Sequence, residues 1–354
     1  MKEIKSIINK IKKIAELNNK TSCIFLGNTV QKEKASFYTT PIRENKKFIF
    51  CSIILFSNNV AKKIAKIVDG NVDYVLVDTE KKIKTSHKRS KTHLVNIERA
   101  VKETINKSKL RVYKANDLSI FSTETLINYH FLNDKRGISG KKVIIIGAGN
   151  IGSKLALKFV ENGASTFLIR RNKKKLRNIV KTINIIKPRG TETNAFNLNK
   201  IPKDLSSFDI IIGSSDQKNL IKESHVTKIN DKKLFIDLGK GTFSKNCIKT
   251  LLKKKNNIFR LDTTSSYFSY MDNIIYTESV YKKDTYFNKI NNYNFVSQGI
   301  LGKKGDVIVD DVKKPKKILG ICAGDGTLKK FSFNEKKKLI KKIKQDTSLN
   351  LIYG

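Results

Sequence analysis

The chain has no tryptophan, only 4 prolines and only 4 cysteines in 354 residues. Cys23, Cys51, Cys247 and Cys322 lie far apart and form no C-x-x-C pair. That argues against a zinc site and a disulfide framework, and makes a reducing cytoplasm the expected setting. The four histidines, His87, His93, His130 and His225, show no spacing of metal ligands, so no metal is expected. Also missing is a continuous apolar run long enough to cross a bilayer. The N-terminal segment places Ile4, Ile7, Ile8, Ile11, Ile14 and Leu17 at helical spacing, yet it includes Glu3 and Glu16 and has no cleavage site of the signal-peptide kind. It reads as an amphipathic helix packed on its own domain, and no membrane partner is expected.

Acidic residues are scarce. Against 72 Lys plus Arg stand 31 Asp plus Glu, a formal net charge of +41. Such an excess ordinarily points to nucleic acid or another anionic surface. Here it is mostly lysine, spread through nearly every segment and accompanied by abundant Asn and Ile. Nucleic acid is therefore not the expected partner. The field still favours anionic small molecules, and that attraction fades with salt.

What the chain does contain is one unbroken strand, turn, helix and strand from Lys142 to Asn172. Val143, Ile144, Ile145 and Ile146 form the β-branched run of a parallel strand buried on both faces. The turn follows as Gly147, Ala148, Gly149, Asn150, Ile151 and Gly152. Its first glycine suits a tight exit from the strand, the second lets backbone approach a pyrophosphate, and the third lets helix pack on sheet. Leu155, Ala156, Phe159 and Val160 then mark the buried face of a helix whose N-terminal N–H groups face the phosphates. The G-x-G-x-x-G spacing alone is weak evidence; the flanking strand and helix supply the context it needs. An NAD enzyme usually carries a carboxylate at the end of the second strand, for the ribose hydroxyls. Here Arg170, Arg171 and Asn172 stand there. Guanidinium groups bond a 2′-phosphate that a carboxylate would repel, so NADP is expected over NAD.

Apolar strands at Cys23 to Leu26, Phe48 to Leu55 and Val72 to Val77, with helical patterns at Val60 to Val68 and Leu94 to Ile105, predict an α/β domain over residues 1–118. A connecting helix is expected within 119–137, and a Rossmann doubly wound parallel sheet over 138–265. A C-terminal return segment, 266–354, is expected to pack on both domains. Strand runs at Phe208 to Ile212 and Lys233 to Leu238 end in the loops Gly213-Ser214-Ser215-Asp216 and Gly239-Lys240-Gly241-Thr242. In open α/β sheets ligands sit at the carboxyl ends of strands, so Ser214, Ser215 and Gly239 join the expected cofactor contacts. Asp237 and Lys240 form a further candidate pair.

This order, with its G-A-G turn and R-R-N strand end, resembles the shikimate/quinate dehydrogenase and glutamyl-tRNA reductase group of NADP enzymes. The resemblance is carried by about Ile138 to Asp262. It implies an N-terminal substrate domain of the amino-acid-dehydrogenase kind and, before the cofactor domain, an N-T-D motif whose Asp works with a Lys in proton transfer. Lys114-Ala115-Asn116-Asp117 stands in the comparable place without the Thr, and it makes Lys114 and Asp117 the candidate catalytic pair. Asp117 would serve equally as a helix N-cap. Asp78-Thr79-Glu80-Lys81-Lys82, just after an apolar strand, is a second constellation, open also to reading as a solvated charge cluster. The serine-rich substrate motif and the V-T-x-P-x-K segment of shikimate dehydrogenases are missing. Glutamyl-tRNA reductases place a nucleophilic Cys in S-T-C-N-R, whereas Cys23 and Cys51 lie inside apolar strands. The expected function is NADP-dependent hydride transfer to or from a small, anionic hydroxy, keto or amino acid. A non-catalytic NAD(P)-binding module and a glutamyl-tRNA reductase-like enzyme are the alternatives, and a homodimer is compatible with either.

Overall fold

The computed structural model describes residues 1–29, 35–87, 90–239, 241–281 and 286–353. The chain divides into two units, Met1–Phe268 and Ser269–Gly354.

The first unit opens with α1 (Lys2–Leu17), which buries Ile4, Ile8, Ile11 and Ala15. The first sheet is built from β1 (Thr21–Gly27), β2 (Phe37–Thr39), β3 (Arg43–Glu44), β4 (Phe48–Leu55) and β5 (Tyr74–Asp78). After a hairpin of β6 (Lys84–His87) and β7 (Ser90–Leu94) it gains β8 (Lys109–Tyr113). Its order is β2-β4-β1-β5-β8, with β3 beside β4. β1, β4, β5 and β8 run parallel, and the short β2 and β3 turn antiparallel at the edge. Alternate residues of a strand face opposite sides. Ile24, Leu26, Ile49, Ile53, Val75 and Val77 accordingly form one core with α1, α2 (Asn58–Val68) and α3 (Ile97–Lys102). The helix expected from Leu94 is only this short piece, because β7 takes Leu94 and a turn follows Lys102.

α4 (Ala115–His130) leads into the second sheet. It starts at Ala115, before the segment 119–137 in which the connecting helix was expected, and so places Asn116 and Asp117 in its first turn. The second sheet alternates β9 (Lys142–Ile146), α5 (Asn150–Glu161), β10 (Ser165–Ile169), α6 (Lys173–Ile186), β11 (Ala195–Leu198), β12 (Ile210–Gly213), β13 (Leu234–Asp237), α7 (Lys245–Lys253) and β14 (Asn257–Arg260). Strand order is β11-β10-β9-β12-β13-β14, every pair parallel. This is the doubly wound Rossmann order, and the crevice opens where it reverses, between β9 and β12. Val143, Ile145, Ile210, Ile212 and Ile236 bury one face under α4, α5 and α6. Ile144, Ile146, Ile211 and Phe235 bury the other with Phe243, Cys247 and Leu251. Burial on both faces accounts for the continuous β-branched runs.

α8 (Thr264–Tyr281) begins in the first unit. Its Tyr267 and Phe268 close an aromatic group with Phe25, Phe50 and Tyr113 on the free face of the first sheet. The second unit holds β15 (Phe287–Ile290), β16 (Tyr293–Ser297), β17 (Val307–Val309), β18 (Lys317–Ile321), α9 (Phe333–Thr347) and β19 (Ile352–Tyr353). Its strands pair in numerical order around Phe295, Val307, Val309, Ile318, Ile343 and Leu351. Among the described residues no helix is long and apolar enough to cross a membrane.

Candidate functional site

The turn after β9 is held from behind by β10. Gly147 and Ala148 both donate their N–H to the Ile169 carbonyl at 3.0 Å. Gly147 has φ +116°, and a Cβ there would stand 2.5 Å from the Ser214 carbonyl oxygen. Gly149 is the N-cap of α5 and offers no side chain, so the first N–H groups of the helix stay free for an anion. Ser214 N–H donates to the Ile146 carbonyl at 2.8 Å, which draws the loop after β12 against this turn.

A cavity of about 670 Å³ opens here. Of the residues that the sequence assigns to a cofactor, Gly147, Ala148, Gly149, Asn150, Arg170, Arg171, Asn172, Ser214 and Ser215 line it, while Ile151 and Gly239 line a different cavity. Gly152 lines neither; it sits beneath the turn, where a Cβ would come within 2.3 Å of the Gly147 carbonyl oxygen. Lys173, Asn199, Lys200 and Gln217 are lining residues that the strand-end reasoning missed. Asn199 and Lys200 follow β11, whose end is a ligand-facing position by the same rule that selected Ser214.

The strand-end cations differ in what they already hold. Arg170 donates from Nη1 to the Ala148 carbonyl, bracing the turn. Lys173 Nζ donates to the Asn199 carbonyl. Asn172 caps α6, accepting from Lys175 N–H at 2.9 Å. Arg171 is exposed and makes no hydrogen bond or ion pair among the described residues, which leaves its guanidinium available.

A second cavity, of about 250 Å³, shares Ser214, Ser215 and Asp216 with the first. Ile151, Leu238 and Gly239 line it from the second sheet, and Asn28, Thr29, Tyr38, Lys82 and Asn116 from the elements around the first. Asp237 shapes its rim by accepting the Gly241 N–H at 2.7 Å; Lys240, its suggested partner, lies outside the described residues. Among the described residues, Lys82 is the cation that lines this cavity. Its Nζ lies 2.9 Å from Asp78 Oδ2 and 2.8 Å from Glu80 Oε2. The Asp78 side chain is fully buried, and those of Lys82 and Glu80 are 16% and 11% exposed. Asn28, buried at the end of β1, donates to the Glu80 carbonyl at 2.7 Å and accepts from the Lys82 N–H at 3.2 Å. The segment the sequence left open as a charge cluster is thus pinned at the mouth of two parallel strands.

Lys114 and Asp117 lie beside this cavity and do not line it. Their charged atoms are 3.9 Å apart, with side chains 43% and 49% exposed. Asp117 also accepts from Lys154 Nζ at 2.5 Å, an ion pair between the first turn of α4 and the second turn of α5. In the same place Asn116 Nδ2 donates to Asn150 Oδ1 at 3.3 Å. All four cysteines are buried. Burial, with Asp73 adding, pushes the Cys23 thiol far up. Burial likewise raises Cys51 to about 11 and Cys247 to about 12. Such thiols are not thiolates at neutral pH. Among the described residues no three of His, Cys, Asp and Glu come together as a metal would need.

Residues 132–262 match the family model described as shikimate / quinate 5-dehydrogenase. A glutamyl-tRNA reductase from Thermosipho melanesiensis is 29% identical over 109 residues, 30% of this chain and 27% of that protein. The chain thus spans about a quarter of the curated relative that it matches. Among solved structures, a shikimate dehydrogenase in complex with NADP+ aligns at TM-score 0.38 and 12% identity, over 68% of this chain and 84% of the other. L-tryptophan dehydrogenase from Nostoc punctiforme aligns at TM-score 0.42 and 12% identity, over 75% and 76%.

Proposed function

We propose that this chain, whose dinucleotide unit is a divergent member of the shikimate/quinate dehydrogenase and glutamyl-tRNA reductase group, is an NADP-dependent oxidoreductase. It moves a hydride between the nicotinamide and a small hydroxy, keto or amino compound. The observation that carries this reading is the pair of cavities meeting at Ser214, Ser215 and Asp216, one bounded by the phosphate turn and the other by Lys82.

The residues fit the cofactor. The free N–H groups at the start of α5 suit the pyrophosphate. Arg171 and Lys200 suit a 2′-phosphate, each charge-assisted bond contributing about 1.5–3 kcal/mol. Bound there, the dinucleotide supplies the hydride chemistry, and the chain has to place the substrate and move one proton. Two pairs compete for that proton, Lys82 with Asp78 and Lys114 with Asp117. Lys82 is favoured because it lines the cavity and its carboxylate partner is out of water, so its position is fixed. Lys114 and Asp117 are half-exposed, and Asp117 is already engaged with Lys154. The long-range field of the +41 chain serves the phosphates of the cofactor. A module that only binds nucleotide has no need of a buried Lys82–Asp78 pair, and a thioester route lacks an available thiolate.

The test is a pair of variants. Lys82→Met is expected to keep NADPH binding and lower NADPH oxidation with a small carbonyl substrate by about 10²–10⁴-fold. Asp117→Asn is expected to leave both nearly unchanged. Full turnover in Lys82→Met, or its loss in Asp117→Asn alone, would return the proton to the Lys114 pair.

A further inference from the structure

The segment that carries Lys82 belongs to no strand or helix. β5 ends at Asp78 and β6 begins at Lys84, so the backbone polar groups of 79–83 need partners outside a regular ladder. Asn28 supplies two of them. Its Nδ2 donates to the Glu80 carbonyl at 2.7 Å, and its Oδ1 accepts the Lys82 N–H at 3.2 Å. Those two groups flank Lys81, as the two partners of one residue do in a parallel ladder. Backbone pairing between β1 and β5 runs from Cys23 with Tyr74 to Leu26 with Val77. Asn28 follows the end of β1 at Gly27, and its side-chain amide takes up the bonding where the backbones leave off. The residue is 6% exposed and lines the second cavity itself. Asp78 and Glu80 hold the Lys82 ammonium from the same stretch of chain that carries it. Asn28 ties that stretch to β1, which lies between β4 and β5 inside the first sheet.

We propose that Asn28 is the positioning residue of this site, the group that fixes where Lys82 presents its ammonium to a substrate. The inference rests on the oxidoreductase reading for the task of Lys82 and adds what holds it to that task. A proton donor has to stand within hydrogen-bond reach of the reacting atom, and a misplacement of about 1 Å can cost on the order of 10²-fold in rate. Asparagine suits the place because one planar amide carries a donor and an acceptor together. An ionised aspartate offers acceptors alone, and alanine offers neither.

The experiment compares the full chain with Asn28→Ala and Asn28→Asp, with no nucleotide or substrate present. Amide hydrogen exchange reads the Lys82 N–H. Acylation by sulfosuccinimidyl acetate, followed by peptide mass spectrometry, reads its Nζ against that of Lys174, which is exposed on α6. Asn28→Ala is expected to lower protection of the Lys82 amide by about five- to tenfold, the equivalent of one hydrogen bond, while amides within β1 and β5 keep theirs. Acylation of Lys82 relative to Lys174 should rise with it. Asn28→Asp keeps the acceptor and is expected to restore protection of the Lys82 amide, a rescue that a general loosening of the sheet would not give. Unchanged exchange or unchanged acylation in Asn28→Ala, equal loss in the two variants, or loss spread through β1 and β5 overturns the proposal. Should Asn28→Ala fail to fold, Asn28→Asp decides alone, by whether its Lys82 amide stays protected. Titration of the wild-type chain with NADPH tests the cofactor reading separately, since neither measurement at Lys82 uses nucleotide.

Discussion

Gly149 and Gly152 stand in one phosphate turn yet answer differently to gaining a methyl group. A Cβ on Gly149 meets nothing within 4 Å, whereas one on Gly152 would lie 2.3 Å from backbone. Gly149→Ala should therefore fold with nearly unchanged stability and bind NADPH weakly, because the methyl occupies the approach of the pyrophosphate. Gly152→Ala should lose about 2 kcal/mol or more in a denaturant melt, as forced overpacking does. Equal stability of the two variants would contradict the turn described above. The thiols give a second test at this scale. With Cys23, Cys51 and Cys247 held well above neutrality by burial, native protein near neutral pH should react with iodoacetamide only slowly, and fast alkylation of any of these three would reopen a nucleophilic route.

At the scale of elements, the second sheet was far more legible than the first. Runs such as Val143 to Ile146 and Phe208 to Ile212 are apolar throughout because both faces are covered, and they announce themselves. β8 was missed because Lys109 and Arg111 alternate with Leu110 and Val112 at the sheet edge, leaving a short, half-polar pattern. That omission hid the start of α4 and with it the fact that Lys114 is its N-cap residue. The cofactor turn could be read because its residues are consecutive in sequence. The second cavity could not, since Asn28, Lys82, Asn116 and Asp216 come from four separate loops and helix ends brought together only by folding. Asp237 illustrates how such a rim is kept: its carboxylate accepts from the Gly241 and Thr242 N–H groups at 2.7 and 3.3 Å. Asp237→Ala should leave two backbone donors unpaired at about 1–3 kcal/mol each, visible as a lowered Tm.

Across the first unit, the carboxyl ends of two sheets of largely parallel strands both line the second cavity, and the larger cavity opens at the phosphate turn of the second sheet. The +41 charge should make NADPH affinity fall as salt rises, since screening at 0.1 M shortens electrostatic reach to about 10 Å. Titration at rising ionic strength checks this, and a flat response would remove the role given to the field. The most direct test of the central claim is calorimetric titration of the full chain with NADPH and with NADH, repeated on Arg171→Ala. The account predicts that NADPH binds at least about tenfold more tightly than NADH, the equivalent of one good phosphate contact, and that the gap closes in the variant. Equal affinities in the wild-type chain, or no binding of either nucleotide, would contradict it.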